Sequence, residues 1–504
     1  MFDLVLRGGL VYDGLGSPPQ EVDVAVSGDR IVAVGEHLGP ARRSLDLSGC
    51  SVTPGFIDVH SHSDITMDKP GCHPFKVIQG VTTEVVGNCG LSAAPVSVRT
   101  VDALSSSRRL EPLTYGEHLD RLASSPLVNN LVPLVGHNTL RLAVNGGSAD
   151  IDAHSLEQMV RLAHECFEAG AVGLTTGLVY MPGSFATLDE VVSLIEVAGQ
   201  YGGVYATHMR SEGIGLEDAV EEALTIAGRS GTRLQISHCK AAGASSHGKS
   251  DWLRARLRAA RADGVDVYGD VYPYARSSSR LAALLPDDLL EGGDAKMLAR
   301  LTDPAVRAEL SAAPWGPELP AANILVATHS DPAIAGQTLQ AIAGERHPAV
   351  ALADAVVADP SATVVLALMS QDDVDNFVVD PLLMVGSDGG GPDEFGHPRT
   401  WGTFPFFLGS VVRDRGLVEP AEAIRRMTSF PARHFGLSGR GRVSTGAIAD
   451  LCVVDLDTVG HPGTYEAPDL APTGIRQVLV NGVLVVDEGE PTGAHGGRVL
   501  RMRS

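Results

Sequence analysis

Val204-Tyr205-Ala206-Thr207-His208 and Leu234-Gln235-Ile236-Ser237-His238 are two short apolar runs, each ending in a histidine, with positions 208 and 238 lying 30 residues apart. Between them, Leu216 to Gly228 carries the spacing of an amphipathic helix and opens with Glu217 and Asp218, acids that suit a helix N-terminus. Strand, helix, strand over so short a span reads as one parallel crossover. Working outward, the same unit recurs, with polar ends of apolar runs at Asp58, Cys89, Gly136, Gly177, His208, His238, Tyr272 and Asp388. The gaps are 31, 47, 41, 31, 30, 34 and 116 residues. Helices fit them: Leu156 to Ala169 stops at Gly170, and Leu188 to Gln200 runs into Tyr201-Gly202-Gly203. Eight parallel strands with covering helices predict an α/β chain built on a TIM-like (β/α)8 barrel over 55–436, with its chemistry at the C-terminal strand ends. The last gap is too long for one crossover, so an inserted subdomain over 281–345 is expected between strands 7 and 8.

The chain ends follow a different grammar. Phe2-Asp3-Leu4-Val5-Leu6, Val22-Asp23-Val24-Ala25-Val26 and Arg30-Ile31-Val32-Ala33-Val34 have the two-residue period of half-buried strands. The pattern returns in 449–455 and 478–486, the latter with Asn481-Gly482 as a hairpin turn. Residues 1–54 and 437–504 are therefore expected to form one small β-sandwich domain. Composition narrows the partners: 39 Lys plus Arg against 61 Asp plus Glu leave a formal charge of −22, which would repel a nucleic-acid backbone or an anionic membrane. No stretch has about 18 consecutive apolar residues, and Asp3 stands where a signal peptide would be basic, so a cytoplasmic protein acting on a small molecule is expected. A homo-oligomer is left open. Six cysteines without paired spacing, at 50, 72, 89, 166, 239 and 452, do not make a disulfide framework.

Candidate site residues collect at the predicted strand ends. His60 and His62, two apart, share one strand face and can grip one metal. His208 and His238 end strands five and six, Cys89 follows strand two, and Asp388 follows strand eight before glycines that let a substrate approach. Six donors on five strands would converge on one mouth. Imidazole, thiolate and carboxylate suit zinc, with an open position for water. Taken singly, Cys89 would be a buried apolar residue and Asp388 a helix N-cap; the four histidines at matching depth shift both toward function. Lys240, two residues after His238, would share its face and reach a substrate carboxylate, unless it is solvated. His137, at the end of strand three, reads equally as structural or catalytic.

Taken together, His60-Ser61-His62, His208, His238 and Ser387-Asp388 resemble the amidohydrolase superfamily. Ser429-Phe430-Pro431-Ala432-Arg433 with Gly446-Ala447-Ile448-Ala449-Asp450-Leu451 resembles its return from barrel to β domain. Gly87-Asn88-Cys89-Gly90, Ser237-His238-Cys239-Lys240 and Tyr272-Pro273-Tyr274 are similar to the D-aminoacylase branch, the N-acyl-D-amino-acid deacylases. That resemblance implies one tight Zn2+ on Cys89, His208 and His238, and a second, weaker or vacant position at His60, His62 and Asp388. It implies hydrolysis of the amide of an N-acyl-D-amino acid, with Asp388 moving the proton and Lys240 and Tyr274 holding the α-carboxylate. Tyr180 and Ser278 fall where the branch contacts substrate, and Arg276 and Arg280 add charge that would suit an acidic side chain. Relatives that bridge two metals with a carboxylated lysine carry it at the end of strand four; here 171–180 offers none. Two alternatives stay open: the same fold acting on a cyclic imide, dipeptide or lactone, and a non-catalytic scaffold.

Overall fold

The computed structural model describes residues 1–66, 69–104, 110–391 and 396–502. Eight parallel strands form one sheet in chain order: β1 (Phe56–Asp58), β2 (Val81–Val86), β3 (Asn130–Gly136), β4 (Gly173–Gly177), β5 (Val204–His208), β6 (Arg233–Ile236), β7 (Val267–Val271) and β8 (Leu383–Val385). Just past β8 the circle draws together, because Asp388 N donates to His60 O at 2.8 Å and His62 N donates to Gly389 O at 2.8 Å. The eight expected strand ends all fall within three residues of the observed ones. Buried on both faces, such strands need no polar alternation, which is why they read as short apolar runs. Ile57, Val59, Val85, Val132, Leu134, Val172, Val204 and Met384 share a core cluster.

The helices stand where the periodicity put them, at Ala153–Ala169, Leu188–Gln200 and Leu216–Ser230. Thr187 caps the second by accepting from Glu190 N, and Gly170 ends the first with φ 116°, a left-handed conformation that favours glycine.

Both chain ends enter one nine-stranded sheet. Phe2–Val11 pairs with Gln20–Ser27 and, in parallel, with Ala41–Asp46 and Ser51–Pro54. Ser51–Pro54 pairs with Leu451–Val454, joining the N-terminal part to the C-terminal part. The final stretch departs from the expectation that all of 437–504 stays in this layer. Leu131 N donates to Arg498 O, Leu500 N to Leu131 O and Met502 N to Gly170 O, so residues 498–502 run under the N-terminal end of the barrel.

The insertion is also wider than 281–345. Its antiparallel sheet joins Arg276–Arg280, Ile324–Thr328 and Thr363–Ala367, over a separate apolar cluster that includes Leu281, Leu301, Ile324, Leu352 and Val364. Arg276-Ser277-Ser278-Ser279-Arg280 has no apolar alternation, so nothing in its pattern marks a strand. No helix among the described residues is long and apolar enough to cross a membrane.

Candidate active site

The C-terminal ends of the barrel strands bring the expected donors together. One ligand atom from each of His60, His62, Cys89 and Asp388 lies within 4.8 Å of the others, and Cys89, His208 and His238 form a second such set. Cys89 belongs to both. Its Sγ is 3.2 Å from His60 Nε2 and 3.5 Å from His238 Nε2, while His62 Nε2 is 3.1 Å from Asp388 Oδ1. All six side chains are buried.

The backbone is bent to place them. Cys89, His238 and Asp388 have φ of 53°, 35° and 51°, left-handed values at non-glycine residues, which cluster at functional sites. Gly177, at the end of β4, leaves no room for any side chain, since a Cβ there would lie 2.1 Å from the Cys89 carbonyl oxygen. The thiol loop occupies the space beside the end of β4.

The charges of the site oppose burial. Desolvation works against a Cys89 thiolate, but His60, His238 and His62 outweigh it and hold the thiol well below its usual range. Burial likewise works against a His60 imidazolium, and Cys89, Asp270 and Asp388 hold it well above the histidine range. Asp388 is kept ionised against burial by Arg399 first, then His238 and His60. Buried anions and nitrogen bases packed this closely form a donor set that fits a divalent cation of borderline softness. His62 Nδ1 and His208 Nδ1 are buried without a hydrogen-bond partner.

Several residues around this set carry no periodic signal in the sequence. Glu212 sends Oε1 to 2.8 Å from His238 Nδ1, and Oε2 to 3.1 Å from Lys240 Nζ and 3.4 Å from His208 Nε2. Arg399 Nη1 is 2.8 Å from Asp388 Oδ2. Asp270, pointing inward from β7, lies 3.4 Å from His60 Nδ1 and accepts from His238 N at 2.8 Å. Below them Lys76 Nζ donates to Asp58 Oδ2 at 2.7 Å and to Ser387 Oγ at 2.8 Å, pinning the end of β8 to β1. Glu212 and Lys76 reach the site from loops, Asp270 from a short inward strand and Arg399 from the first residue of the helix Arg399–Phe406, places where no apolar period singles the residue out.

The expected substrate contacts divide. Lys240 is buried, and its Nζ lies 5.5 Å from the Tyr272 ring centroid, while Arg399 Cζ lies 5.0 Å from the same ring. Tyr272, rather than the expected Tyr274, is thus the tyrosine whose ring lies close to both cations, and its buried hydroxyl has no hydrogen-bond partner. Tyr274 stacks on Phe406 at 4.8 Å, one register further along the loop. Tyr180 meets His208 edge-on at 4.8 Å, and Ser278 O accepts from Arg399 Nη2 at 3.5 Å. Arg276 lies 4.4 Å over Tyr465, a residue of the C-terminal part that stands beside His397. Arg280 turns into the insertion instead, donating to Pro360 O at 2.8 Å. His137 bonds Glu190 Oε1 at 2.8 Å, away from the donor set, which assigns it a structural role.

Comparison with known proteins agrees with this geometry. Residues 379–486 match the amidohydrolase family model. Over 99% of its length the chain is 38% identical to an N-acyl-D-glutamate deacylase and 35% identical to a D-aminoacylase, both of Alcaligenes xylosoxydans xylosoxydans, covering 96% and 97% of those proteins. Among solved structures, an N-acyl-D-glutamate deacylase of Bordetella bronchiseptica, complexed with zinc and a phosphonate inhibitor that mimics the tetrahedral intermediate, superposes with a TM-score of 0.86 at 35% identity, covering 99% of each chain. A D-aminoacylase structure gives the same TM-score at 34% identity, covering 99% of this chain and all of its own. Dihydropyrimidinase of Brevibacillus agri shares the fold alone, at 17% identity and a TM-score of 0.57. The chain belongs to the amidohydrolase superfamily, in its D-aminoacylase branch.

Proposed function

We propose that this protein hydrolyses the amide bond of N-acyl-D-amino acids in a zinc-dependent reaction, releasing a carboxylate and a free D-amino acid. The observation that carries the reading is the pairing of a thiolate-centred donor set with two cations that both lie against one tyrosine ring. Lys240 and Arg399, both close to the Tyr272 ring, offer N–H donors, and Tyr272 offers an unpartnered hydroxyl, to an acid group beside the cluster. A carboxylate bound there would be held by charge-assisted hydrogen bonds.

Cys89, His208 and His238 would hold a tight zinc, and His60, His62 and Asp388 a second, weaker one. Zinc bound there would supply Lewis acidity toward the amide carbonyl and the attacking water. Asp388 takes the water's proton and passes it to the leaving nitrogen. Arg399 keeps that carboxylate aimed, at 2.8 Å. Tyr180, packed on His208, and Ser278, on the insertion's edge strand, close the side where the amino-acid side chain lies. Arg276 at the mouth, stacked on Tyr465, is the rim cation available to an acidic side chain; Arg280 is engaged elsewhere. The D configuration rests on the relatives, which act on N-acyl-D-glutamate or, by their names, on D-amino acids.

The test is a panel of N-acetyl-D and N-acetyl-L amino acids with zinc supplied. Hydrolysis confined to D substrates is expected, with a large rise in KM when the α-carboxylate is removed. Equal turnover of both series would overturn the reading.

A further inference from the structure

We propose that Glu212 is a positioning residue whose single carboxylate fixes the tautomers of both metal-facing histidines and, with the same charge, tethers Lys240. Resting on the deacylase reading, this inference adds a link between metal holding and substrate holding.

The geometry allocates the oxygens. His238 Nδ1 lies 2.8 Å from Oε1, near enough for an N–H on Nδ1 to turn to the carboxylate, while Nε2 faces Cys89 at 3.5 Å. His208 Nε2 lies 3.4 Å from Oε2, so a proton on Nε2 would face the carboxylate and Nδ1, buried and unpartnered, would be its donor atom. The two imidazoles would therefore hold a metal through different nitrogens while one carboxylate faces both N–H groups. Oε2 also receives Lys240 at 3.1 Å. Carboxylates that accept from a ligand histidine fix its ring and raise its basicity, and losing one weakens metal affinity about 10-fold to 100-fold. An amide cannot replace this group. Its one oxygen serves one side only, and its NH2 would face a donor at the other.

Two measurements on Glu212→Gln test the proposal. Zinc affinity, read by competition with a chelator in the absence of substrate, should fall about 10-fold or more. At saturating zinc, KM for an N-acetyl-D-amino acid should rise about tenfold, while KM for an N-acetylamine lacking the carboxylate stays level. Unchanged zinc affinity, or equal KM changes for both substrates, overturns it. If Glu212→Gln does not fold, 15N spectra of the histidine-labelled, zinc-loaded wild-type enzyme decide the matter. Protonated Nε2 at His208 and protonated Nδ1 at His238 are expected, each assigned with the corresponding His→Asn variant; the same tautomer at both overturns the proposal. The zinc titration and the spectra need no turnover, so a wild-type enzyme inactive on every N-acyl-D-amino acid would count against the deacylase reading and leave Glu212 to be judged on those results.

Discussion

Asp388 and Cys89 both occupy left-handed backbone, and that shared strain decides which substitutions are informative. Asparagine tolerates this conformation as well as aspartate does. Asp388→Asn should therefore keep the fold and the tight zinc, yet lower turnover by about 10² or more, because an amide accepts no proton. Steady-state kinetics beside elemental analysis checks this, and near-normal turnover would remove Asp388 as the proton carrier. Cys89→Ala should strip the tight zinc, since the thiolate is the donor common to both clusters; full zinc retention by elemental analysis would return Cys89 to the core. These residues were legible because each ends or follows an apolar run. Glu212 and Arg399 were not: one lies four residues after His208 on a loop, the other eleven after Asp388 at the first residue of the helix Arg399–Phe406, and only the folded chain sets their neighbours.

Between elements, the buried trio of His137, Arg141 and Glu190 ties the helix after β3, His137–Asn145, to the helix Leu188–Gln200 after β4. Arg141 Nε donates to Glu190 Oε1 at 2.8 Å, and Arg141 Nη1 to Pro182 O at 3.0 Å, fixing the loop that carries Tyr180. Burial alone would raise the Glu190 pKa, but hydrogen bonds from His137 and Arg141 bring it down to about 2. A carboxyl depressed in the folded state adds stability that is present above its ordinary range, near 4.5, and is lost as pH falls toward 2. Glu190→Gln should cost about 3 kcal/mol at neutral pH by leaving Arg141 buried without its partner. Thermal unfolding followed against pH should show the gap to wild type narrowing below about pH 4.5; a constant gap would mean the trio contributes no such charge. The helices of this pair could be read from period and caps, whereas the first strand of the insertion, three serines between arginines, could not.

For the whole molecule, the parallel-strand rhythm and the β grammar at both ends made the barrel and the terminal sheet readable, but sequence pattern has no term for how two such layers are fastened. The structure fastens them partly with the stretch that leaves the sheet and crosses beneath the barrel. Gly497 N donates to Leu127 O at 2.8 Å, Arg498 N to Asn130 Oδ1 at 3.1 Å and Leu500 N to Leu131 O at 2.7 Å. Leu500 and Met502 pack on the barrel's inner cluster with Ile57, Val132 and Leu134. Arg498 also reaches Asp29 of the terminal sheet at 2.8 Å, an exposed ion pair worth little by itself. Removing residues 497–504 would uncover apolar side chains at about 25 cal/mol per Å² and leave the buried Leu131 N–H without its acceptor, a cost of about 1–3 kcal/mol for that group alone. The donor set lies at the opposite, C-terminal ends of the same strands. Truncation should therefore lower the unfolding temperature clearly while leaving zinc content intact and KM within about twofold at a temperature where the shortened chain is folded. Calorimetry with elemental analysis and kinetics would show it, and a truncated protein that melts like the full chain would mean the strap adds nothing to holding the barrel closed from below.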